Sequence, residues 1–265
     1  MSAEATRKNP ITFKVKRHDA PGATARWEEF EVPWEPQMNV ISALMAIQRN
    51  PRTKDGRDTA PVVWDQACLE EVCGSCTMVV NGRPRQSCSA LVDKLEQPIE
   101  LAPLSKFPVI RDLAVDRSKM FENLKRVKAW IPIQGTYHLG EGPRVAPDDQ
   151  MDMYGFSRCM TCACCMEVCP QINARSNFIG PAAIAQVKLF NMHPTGKNLA
   201  GERLDEMMED GGVHACGNAQ NCVAACPKDI RLTEAIAEVG RQVTVHAIKK
   251  FLSEPAAMKM DGPAG

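Results

Sequence analysis

Apolar and polar residues alternate near the start of the chain, in a pattern that predicts a β-hairpin. The apolar positions of the two predicted strands lie two residues apart, at Ile11, Phe13 and Val15 and then at Phe30, Val32 and Trp34. The segment APGATA (20–25) between them is rich in turn-forming residues. Pro33 lacks a backbone N–H group, so we expect the second strand to lie near the edge of a sheet.

A helical pattern follows this hairpin. Asn39 is a favourable N-cap residue, Pro51 would stop the helix, and residues 40–49 have apolar side chains at helical spacing. The predicted buried stripe consists of Val40, Ile41, Leu44, Met45 and Ile47. Further on, TMVVNG (77–82) predicts a short strand with an Asn-Gly turn, and residues 99–101 predict another strand.

After about residue 112 the pattern becomes helical. One helix face is predicted from the spacing of Leu113, Met120, Phe121, Leu124 and Val127. Helices are also expected at 181–190, 203–209 and 233–252, with a Gly/Pro-rich loop at 135–147 before them. In the last helix Thr233 would be the N-cap, and the apolar stripe would consist of Ile236, Val239, Val243, Ile248 and Phe251.

The change of pattern predicts an α+β protein of two domains. Residues 1–115 would form a β-rich domain with four of the twelve cysteines, and residues 116–265 a helical domain with the other eight. A chain of 265 residues is long enough for two domains of ordinary size.

Charge and hydropathy exclude several classes of function. The chain has 32 basic and 32 acidic residues, which gives no support to a nucleic-acid or polybasic membrane surface. No apolar run approaches the roughly 18 residues of a membrane-spanning helix. The N-terminal sequence MSAEATRKNP has no apolar core of a signal peptide, so we expect a soluble, unexported chain that reaches a membrane only through a partner.

The twelve cysteines change this picture, because they fall into three groups with long gaps between them. Disulfides are rare in a reducing compartment, where thiols stay free to bind metal as thiolates. Grouped cysteines in an unexported chain therefore predict metal sites rather than a disulfide framework.

The first group has the spacing of a plant-type [2Fe–2S] site, C-x4-C-x2-C followed by a more distant cysteine. Its members are Cys68, Cys73, Cys76 and Cys88. Gly74 and Ser75 are small, so the backbone can approach the sulfurs and donate N–H groups to them. Zinc is the alternative, but zinc sites prefer two separate C-x2-C pairs, and only Cys73 and Cys76 form such a pair here.

The second and third groups are read as two copies of one motif. The run Cys159, Cys162, Cys165, Cys169 and Pro170 has the bacterial ferredoxin spacing C-x2-C-x2-C-x3-C-P. The third group consists of Cys216, Cys222 and Cys226, followed by Pro227. Aligned with the same motif, it lacks one cysteine, and Ala219 stands in that position.

In this motif the fourth cysteine binds the cluster of the other copy. Cys159, Cys162, Cys165 and Cys226 are therefore predicted to hold a [4Fe–4S] cluster. Three cysteines, Cys169, Cys216 and Cys222, remain for a second cluster, which suits [3Fe–4S]. The alternative is that water or a neighbouring side chain completes a second [4Fe–4S], but the methyl group of Ala219 cannot bind iron and tends to exclude water. Cys164 is in phase with neither motif and is predicted to be a buried, inert thiol.

These motifs together resemble the iron–sulfur subunit of succinate dehydrogenase and fumarate reductase, respiratory complex II, over nearly the whole chain. The matching stretches are CLEEVCGSC (68–76), CMTCACCMEVCP (159–170), FIGPAAIA (178–185) and CGNAQNCVAACPK (216–228). The resemblance implies a β-grasp plant-type ferredoxin domain followed by an all-α bacterial-ferredoxin-like domain.

The resemblance also implies partners. They are a flavoprotein with covalent FAD and the dicarboxylate site, and a membrane anchor, a cytochrome b with haem, where quinone binds at or near the interface. FAD and haem would lie in these subunits only. The chain would then be a peripheral protein on the cytoplasmic side of the bacterial plasma membrane.

Two departures from the family pattern argue against a ubiquinone pocket at the surface of this subunit, and the stretch CGNAQNC (216–222) resembles the menaquinone-linked bacterial form. Ubiquinone-linked members often carry Trp after the Cys-Pro of the second motif and His after the first cysteine of the third. In this chain the stretch after the Cys-Pro of the second motif is QINARSN (171–177), which has no Trp. Gly217 stands directly after the first cysteine of the third motif, where the His would be. The segment HPTG (193–196) also resembles the menaquinone-linked form.

The chain itself offers no substrate site. It has no G-x-G-x-x-G motif for FAD, and none of its five histidines has ligand spacing. Its predicted function is to conduct electrons one at a time from the FAD subunit through [2Fe–2S], [4Fe–4S] and [3Fe–4S] to quinone. This would serve succinate oxidation in the tricarboxylic acid cycle and respiratory chain, or fumarate reduction in the reverse direction.

Two alternative functions stay open. One is an electron-transfer subunit of a glycolate-oxidase-like or heterodisulfide-reductase-like complex, and the other is a zinc-binding interaction module.

Overall fold

The computed structural model describes residues 10–132 and 142–253 of the chain. The helices, in chain order, are α1 (Val40–Arg49), α2 (Ser118–Arg126), α3 (Pro147–Ser157), α4 (Cys164–Glu167), α5 (Pro181–Met192), α6 (Ala200–Met208), α7 (Asn221–Ala224) and α8 (Leu232–Ser253). The strands are β1 (Ile11–Arg17), β2 (Arg26–Val32), β3 (Thr77–Val80), β4 (Arg83–Gln86), β5 (Ile99–Ala102), β6 (Val109–Arg111) and β7 (Ala114–Val115). Short 3₁₀ turns occur at Val92–Lys94, Gly196–Leu199 and Val213–Ala215.

Five strands form a mixed sheet in the order β2-β1-β5-β3-β4. β1 pairs antiparallel with β2 and parallel with β5, and β3 pairs antiparallel with both β4 and β5. β2 is an edge strand, as Pro33 predicted. The Asn-Gly turn joins β3 to β4, and both Asn81 and Gly82 have positive φ, as a tight hairpin turn requires.

The first core lies between this sheet and α1. Phe13 and Phe30 pair across β1 and β2, and both are almost fully buried. Asn39 caps α1, accepting a hydrogen bond from the Ser42 backbone, while the Ser42 hydroxyl accepts one from the Asn39 backbone. Met45 is only partly buried but packs against the same core as the rest of the predicted stripe of α1.

The second core is built by the helices and receives part of the connecting segment. Leu104, Phe107 and Val115 pack in this second core, whereas Leu113 packs in the first. Leu113 therefore does not belong to the helix face that its spacing predicted, and Phe121 on that face is exposed. The boundary at residue 115 stays a prediction.

The helices after residue 180 lie close to their predicted positions, with two differences in α8. Its first residue is Leu232, so Thr233 lies inside the helix and is not the N-cap. Val239 is buried, but Ile248 and Phe251 are 54% and 80% exposed, so the last part of the predicted stripe lies at the surface. Residues 133–141 of the predicted Gly/Pro-rich loop lie outside the described residues.

In the described residues, no helix is both long enough and apolar enough to cross a membrane.

Candidate cluster sites

The first site, called site I, consists of Cys68, Cys73, Cys76 and Cys88. The loop before β3 wraps around the Cys68 sulfur, which accepts backbone N–H groups from Glu70, Val72 and Cys73 at 3.3–3.4 Å. The Cys73 sulfur accepts the N–H of Ser75 at 3.4 Å. These donors are the interaction expected for negatively charged sulfur, and they support the predicted role of Gly74 and Ser75.

Hydrogen bonding lowers the pKa of one thiol of site I, whereas burial raises the pKa of another. Hydrogen bonds from the Cys68 backbone and then from Ser75 lower the pKa of Cys73 to about 6. Burial raises the pKa of Cys76 to about 11, with the nearby Cys88 adding to the effect. Cys68 therefore lies beside Cys73, and Cys76 lies beside Cys88, as members of one ligand set would.

The second site, site II, is a cavity lined by the thiols of Cys159, Cys162, Cys165 and Cys226. The first three come from the loop before α4 and from α4 itself, and Cys226 comes from the end of the third motif, just after α7. The structure thus brings together the four residues that the motif predicted, including the one from the other copy.

The third site, site III, is a separate cavity lined by Cys169, Cys216 and Cys222. Ala219 also lines it, at the position where a fourth cysteine would stand. Ala219 is exposed in the isolated chain, and the expectation that its methyl group excludes water stays a prediction. Among the residues that line site III, no fourth cysteine stands at the Ala219 position.

The backbone repeats itself around sites II and III. The second and fourth residues after Cys159, Thr161 and Ala163, have φ of +50° and +73°. The corresponding residues after Cys216, Asn218 and Gln220, have φ of +51° and +61°. Left-handed residues placed in this way turn successive N–H groups inward and create concavities that bind anions, including iron–sulfur clusters. The two motifs are therefore copies of one local structure.

Burial raises the pKa of three thiols in these two cavities. It raises the pKa of Cys159, Cys165 and Cys222, and neighbouring cysteines add to the effect. Thiolates held this closely in an apolar setting need positive charge between them, which cluster iron supplies. All twelve cysteines lie in the described residues, and none of them forms a disulfide.

The cavities differ from a site for a single ion. Within residues 10–132 and 142–253, no three His, Cys, Asp or Glu side chains converge closely enough to hold one metal ion. The thiols of sites II and III instead surround a space, and this donor set fits a cluster of several irons.

Cys164 lines neither cavity and is fully buried, as predicted. The neighbouring Cys162 thiol raises the pKa of Cys164, and burial raises it further. The same interaction lowers the pKa of Cys162 to about 7.

The three sites follow one another through the protein. The site I loop reaches site II at Gly74, whose added Cβ atom would stand 2.7 Å from the Cys162 Cα. Sites II and III adjoin, since Cys165 and Cys222 are close enough for their charges to interact.

Sequence reasoning missed two residues that contact the cysteine motifs from outside them. Arg117, just before α2, donates to the carbonyls of Gly74 and Ser75 at 2.7 and 3.4 Å. Gln86, at the end of β4, donates to the Cys164 sulfur at 3.5 Å. Both contacts span a long stretch of sequence, and neither residue lies in a motif, so no local signal marks them.

Comparison with known proteins agrees with this geometry. A family model described as a 2Fe–2S iron–sulfur cluster binding domain matches residues 12–122, and one described as a 4Fe–4S dicluster domain matches residues 155–230. The chain accordingly has a 2Fe–2S-type domain followed by a 4Fe–4S-type domain in an α+β architecture.

Known proteins that match this chain over most of its length identify the family more closely. The succinate dehydrogenase iron–sulfur subunit of Bacillus subtilis is 55% identical over 91% of this chain and 95% of its own length. The fumarate reductase iron–sulfur subunit of Wolinella succinogenes is 29% identical over 88% of this chain and 97% of its own. A solved structure titled "Mycobacterium smegmatis Sdh1 complex in the apo form" has the same fold, with a TM-score of 0.70 and 23% identity over 94% of this chain and 99% of that one. The chain belongs to the family of iron–sulfur subunits of succinate dehydrogenase and fumarate reductase.

Proposed function

We propose that this chain conducts electrons one at a time from an FAD subunit to membrane quinone, as the iron–sulfur subunit of a succinate:quinone oxidoreductase. The observation that carries the proposal is the row of three cysteine sites, in which site I contacts site II at Gly74 and site II adjoins site III. Thiolate-held iron–sulfur clusters exchange single electrons, which links a two-electron oxidation at flavin to stepwise reduction of quinone.

Each site has its own ligand set in the proposal. Site I holds [2Fe–2S] through Cys68, Cys73, Cys76 and Cys88, and site II holds [4Fe–4S] through Cys159, Cys162, Cys165 and Cys226. Site III holds [3Fe–4S] through Cys169, Cys216 and Cys222, because the Ala219 position offers no fourth thiol. One thiolate fewer means less negative charge at site III, which favours a higher potential and the quinone-side place in the row.

In the proposed function, backbone N–H groups that donate to the cysteine sulfurs help to set the reduction potentials of the clusters. In site I the N–H groups on the Cys68 sulfur neutralise part of its charge and fix its orientation. In the other two sites, Cys216 and Cys226 accept N–H groups from Asn218 and Ile230 at 3.4 Å. Hydrogen bonds to cluster sulfurs are among the protein's means of setting a reduction potential.

The finer fold names belong to the same proposal. The mixed sheet covered by α1, with the cysteine loop leading into β3, supports a β-grasp plant-type ferredoxin domain in residues 1–115. The repeated loops around sites II and III support a bacterial-ferredoxin-like, all-α domain in residues 116–265.

The proposed partners are a flavoprotein that carries FAD and the dicarboxylate site and a cytochrome b membrane anchor that carries haem. The chain would be held by the anchor on the cytoplasmic side of the bacterial plasma membrane. We further propose menaquinone as acceptor. The end of the Gln171 side chain lies beside Gly217, where ubiquinone-linked members often carry His, and it would have to move to make room for a larger residue.

The direction proposed is succinate oxidation, which rests on the 55% identity to a succinate dehydrogenase subunit. Fumarate reduction is the second candidate, since fumarate reductase subunits share about 30% identity over most of the chain.

Low-temperature EPR of the purified complex tests the proposal. An isotropic [3Fe–4S] signal without reductant, followed by [2Fe–2S] and [4Fe–4S] signals after dithionite, is expected. Two interacting [4Fe–4S] signals and no oxidised signal would contradict the assignment of site III. Zinc in place of iron in the purified complex would contradict the proposed function as a whole.

A further inference from the structure

The hydroxyl group of Ser87 is buried next to site I and is left without a hydrogen bond. Ser87 directly precedes Cys88, it is fully buried, and its Oγ atom has no hydrogen-bond partner among the described residues. Buried polar side chains are nearly always hydrogen-bonded, because an unpaired group loses its bonds to water without replacement. The acceptor for this hydroxyl is therefore to be sought in something that the chain binds.

The pairing of β3 with β4 places Ser87 opposite Cys76. Thr77 pairs with Gln86 at the end of the antiparallel ladder. The Ser87 N–H donates to the Cys76 carbonyl at 3.2 Å, which extends the ladder by one step. Side chains that lie directly opposite each other in antiparallel strands share one face of the sheet, with Cβ atoms about 4.5–5.5 Å apart. The side chains of Ser87 and Cys76 are therefore neighbours on one face.

That face is turned away from the helical domain. Successive side chains of a strand point to opposite faces. Cys76 lies in the first core, whereas Val79, which points to the other face, packs against the second core. The Gln86 amide also points to the other face, where it reaches the Cys164 sulfur at 3.5 Å. The Ser87 hydroxyl thus lies on the side of the site I cysteines.

A cluster in site I would supply the acceptor that the chain lacks. The thiols of Cys76 and Cys88 lie in the same core, and neither forms a hydrogen bond with the Ser87 hydroxyl. A [2Fe–2S] cluster brings thiolate and sulfide sulfurs that carry negative charge, and such sulfurs accept hydrogen bonds. The unpaired hydroxyl therefore fits a site that is completed by the cluster.

We propose that the Ser87 hydroxyl donates a hydrogen bond to a sulfur of the site I cluster and raises the reduction potential of that cluster. The inference rests on the proposed function. Reduction adds negative charge to the cluster and its sulfurs, and a hydrogen bond to sulfur stabilises the more negative state. Ser87 would act beside Cys76 and Cys88, whereas the backbone N–H groups of the cysteine loop act on Cys68 and Cys73.

The test is a redox titration of the assembled complex, followed by EPR, for the unmodified protein, Ser87→Ala and Ser87→Thr. Ser87→Ala removes the hydroxyl and keeps the rest of the side chain, so the midpoint potential of the [2Fe–2S] cluster should fall. A change of up to about tenfold in its reduction equilibrium corresponds to up to about 59 mV for one electron. Ser87→Thr keeps a hydroxyl and should restore most of the potential.

Ser89→Ala is the matched control. Ser89 directly follows Cys88, but its hydroxyl already donates to the Gln86 carbonyl at 3.3 Å, so its removal should leave the [2Fe–2S] potential unchanged. The [4Fe–4S] and [3Fe–4S] potentials, measured in the same titration, should not move in any variant. Ser87→Gly also lacks the hydroxyl and takes the place of Ser87→Ala if that variant does not assemble.

Electron–nuclear double resonance of the reduced [2Fe–2S] cluster gives a second readout. A coupled proton that exchanges with D₂O should be present in the unmodified protein and in Ser89→Ala, and it should be missing when the Ser87 hydroxyl is removed. Loss of packing alone would not remove such a proton.

An unchanged [2Fe–2S] potential without the Ser87 hydroxyl overturns the inference. An equal fall in Ser87→Ala and Ser87→Thr also overturns it, since that pattern indicates altered packing rather than loss of a donor. If the unmodified complex shows no [2Fe–2S] signal, the proposed function itself fails, which is a different result from an unmoved potential.

Discussion

Gly74 lies so close to Cys162 that a Cβ atom added to it would stand 2.7 Å from the Cys162 Cα and 2.9 Å from the Met160 carbonyl oxygen. Its φ of +71° is also in the region that favours glycine. Backbone thus meets backbone where the loop of site I reaches the loop of site II, and no side chain fits between them.

Gly74→Ala should therefore push the two loops apart. We expect a loss of stability well above the ~1–2 kcal/mol of a left-handed alanine and slower electron transfer from site I to site II. The matched control is Gly82→Ala, because Gly82 has φ +77° but nothing within 4 Å of its added Cβ. Melting temperatures and single-turnover reduction of site II measure the two effects. Equal losses in both variants would mean that the close approach has no energetic role.

Ala219→Cys should complete the ligand set of site III. We expect the isotropic [3Fe–4S] signal to disappear, the potential to fall by more than about 59 mV, and quinone reduction to slow, because a fourth thiolate adds negative charge. EPR titration and turnover measure these changes. Ala224→Cys is the control, since Ala224 is an exposed alanine of the same region that does not line site III. An unchanged signal in Ala219→Cys would place the vacant corner elsewhere.

Arg117→Ala should loosen site I. The Arg117 guanidinium bonds two carbonyls of the cysteine loop, and its loss should cost about 1–2 kcal/mol and speed the release of iron to a chelator. Arg117→Lys keeps the charge but cannot span both carbonyls, so it should rescue only part of the effect. Bleaching of site I in the presence of chelator gives the rate. Full rescue by lysine would mean that charge alone matters.

Asp112→Ala should strongly destabilise the sheet domain. Asp112 is fully buried and accepts from Arg17 Nε at 2.8 Å and from the Val63 backbone at 2.9 Å. Its removal leaves the buried Arg17 guanidinium with one carboxylate, that of Glu28, and the carbonyls of Ala60 and Pro61, at a cost of about 3–5 kcal/mol. The control is Glu100→Ala, which breaks a partly exposed pair with Lys14 and should cost no more than about 1 kcal/mol. Thermal unfolding compares the two, and similar melting temperatures would contradict the prediction.

Local patterns were sufficient for most elements and for the ligand sets brought together in sites II and III. Alternation located β1, and Asn39 with its apolar stripe located α1, because those signals act within a few residues. β4 was missed, since Arg83 and Pro84 look unlike a strand, and it is stabilised by pairing with β3. Leu113 and Thr233 were placed in the wrong roles because packing across the whole chain, rather than spacing, decides where an element begins.

The link between the domains lay beyond sequence reasoning altogether. Gln86 and Cys164 are 78 positions apart, and only the folded chain shows that they meet. Cys164 could be identified as out of phase with the motif, but its contact with Gln86 could not, because glutamine is an ordinary residue type at the end of a strand.

Each of the two cavities is lined by cysteines of both motifs, and this limits when the cavities can form during synthesis of the chain. Site II closes only when Cys226 arrives, and Site III needs Cys169 from the earlier motif together with Cys216 and Cys222. A nascent chain that has emerged from the ribosome only as far as α6 can complete neither cavity. In the proposed function, neither cluster of the helical domain can therefore be completed until most of the chain has been synthesised, and chains truncated before residue 222 would leave both cavities open at the same time.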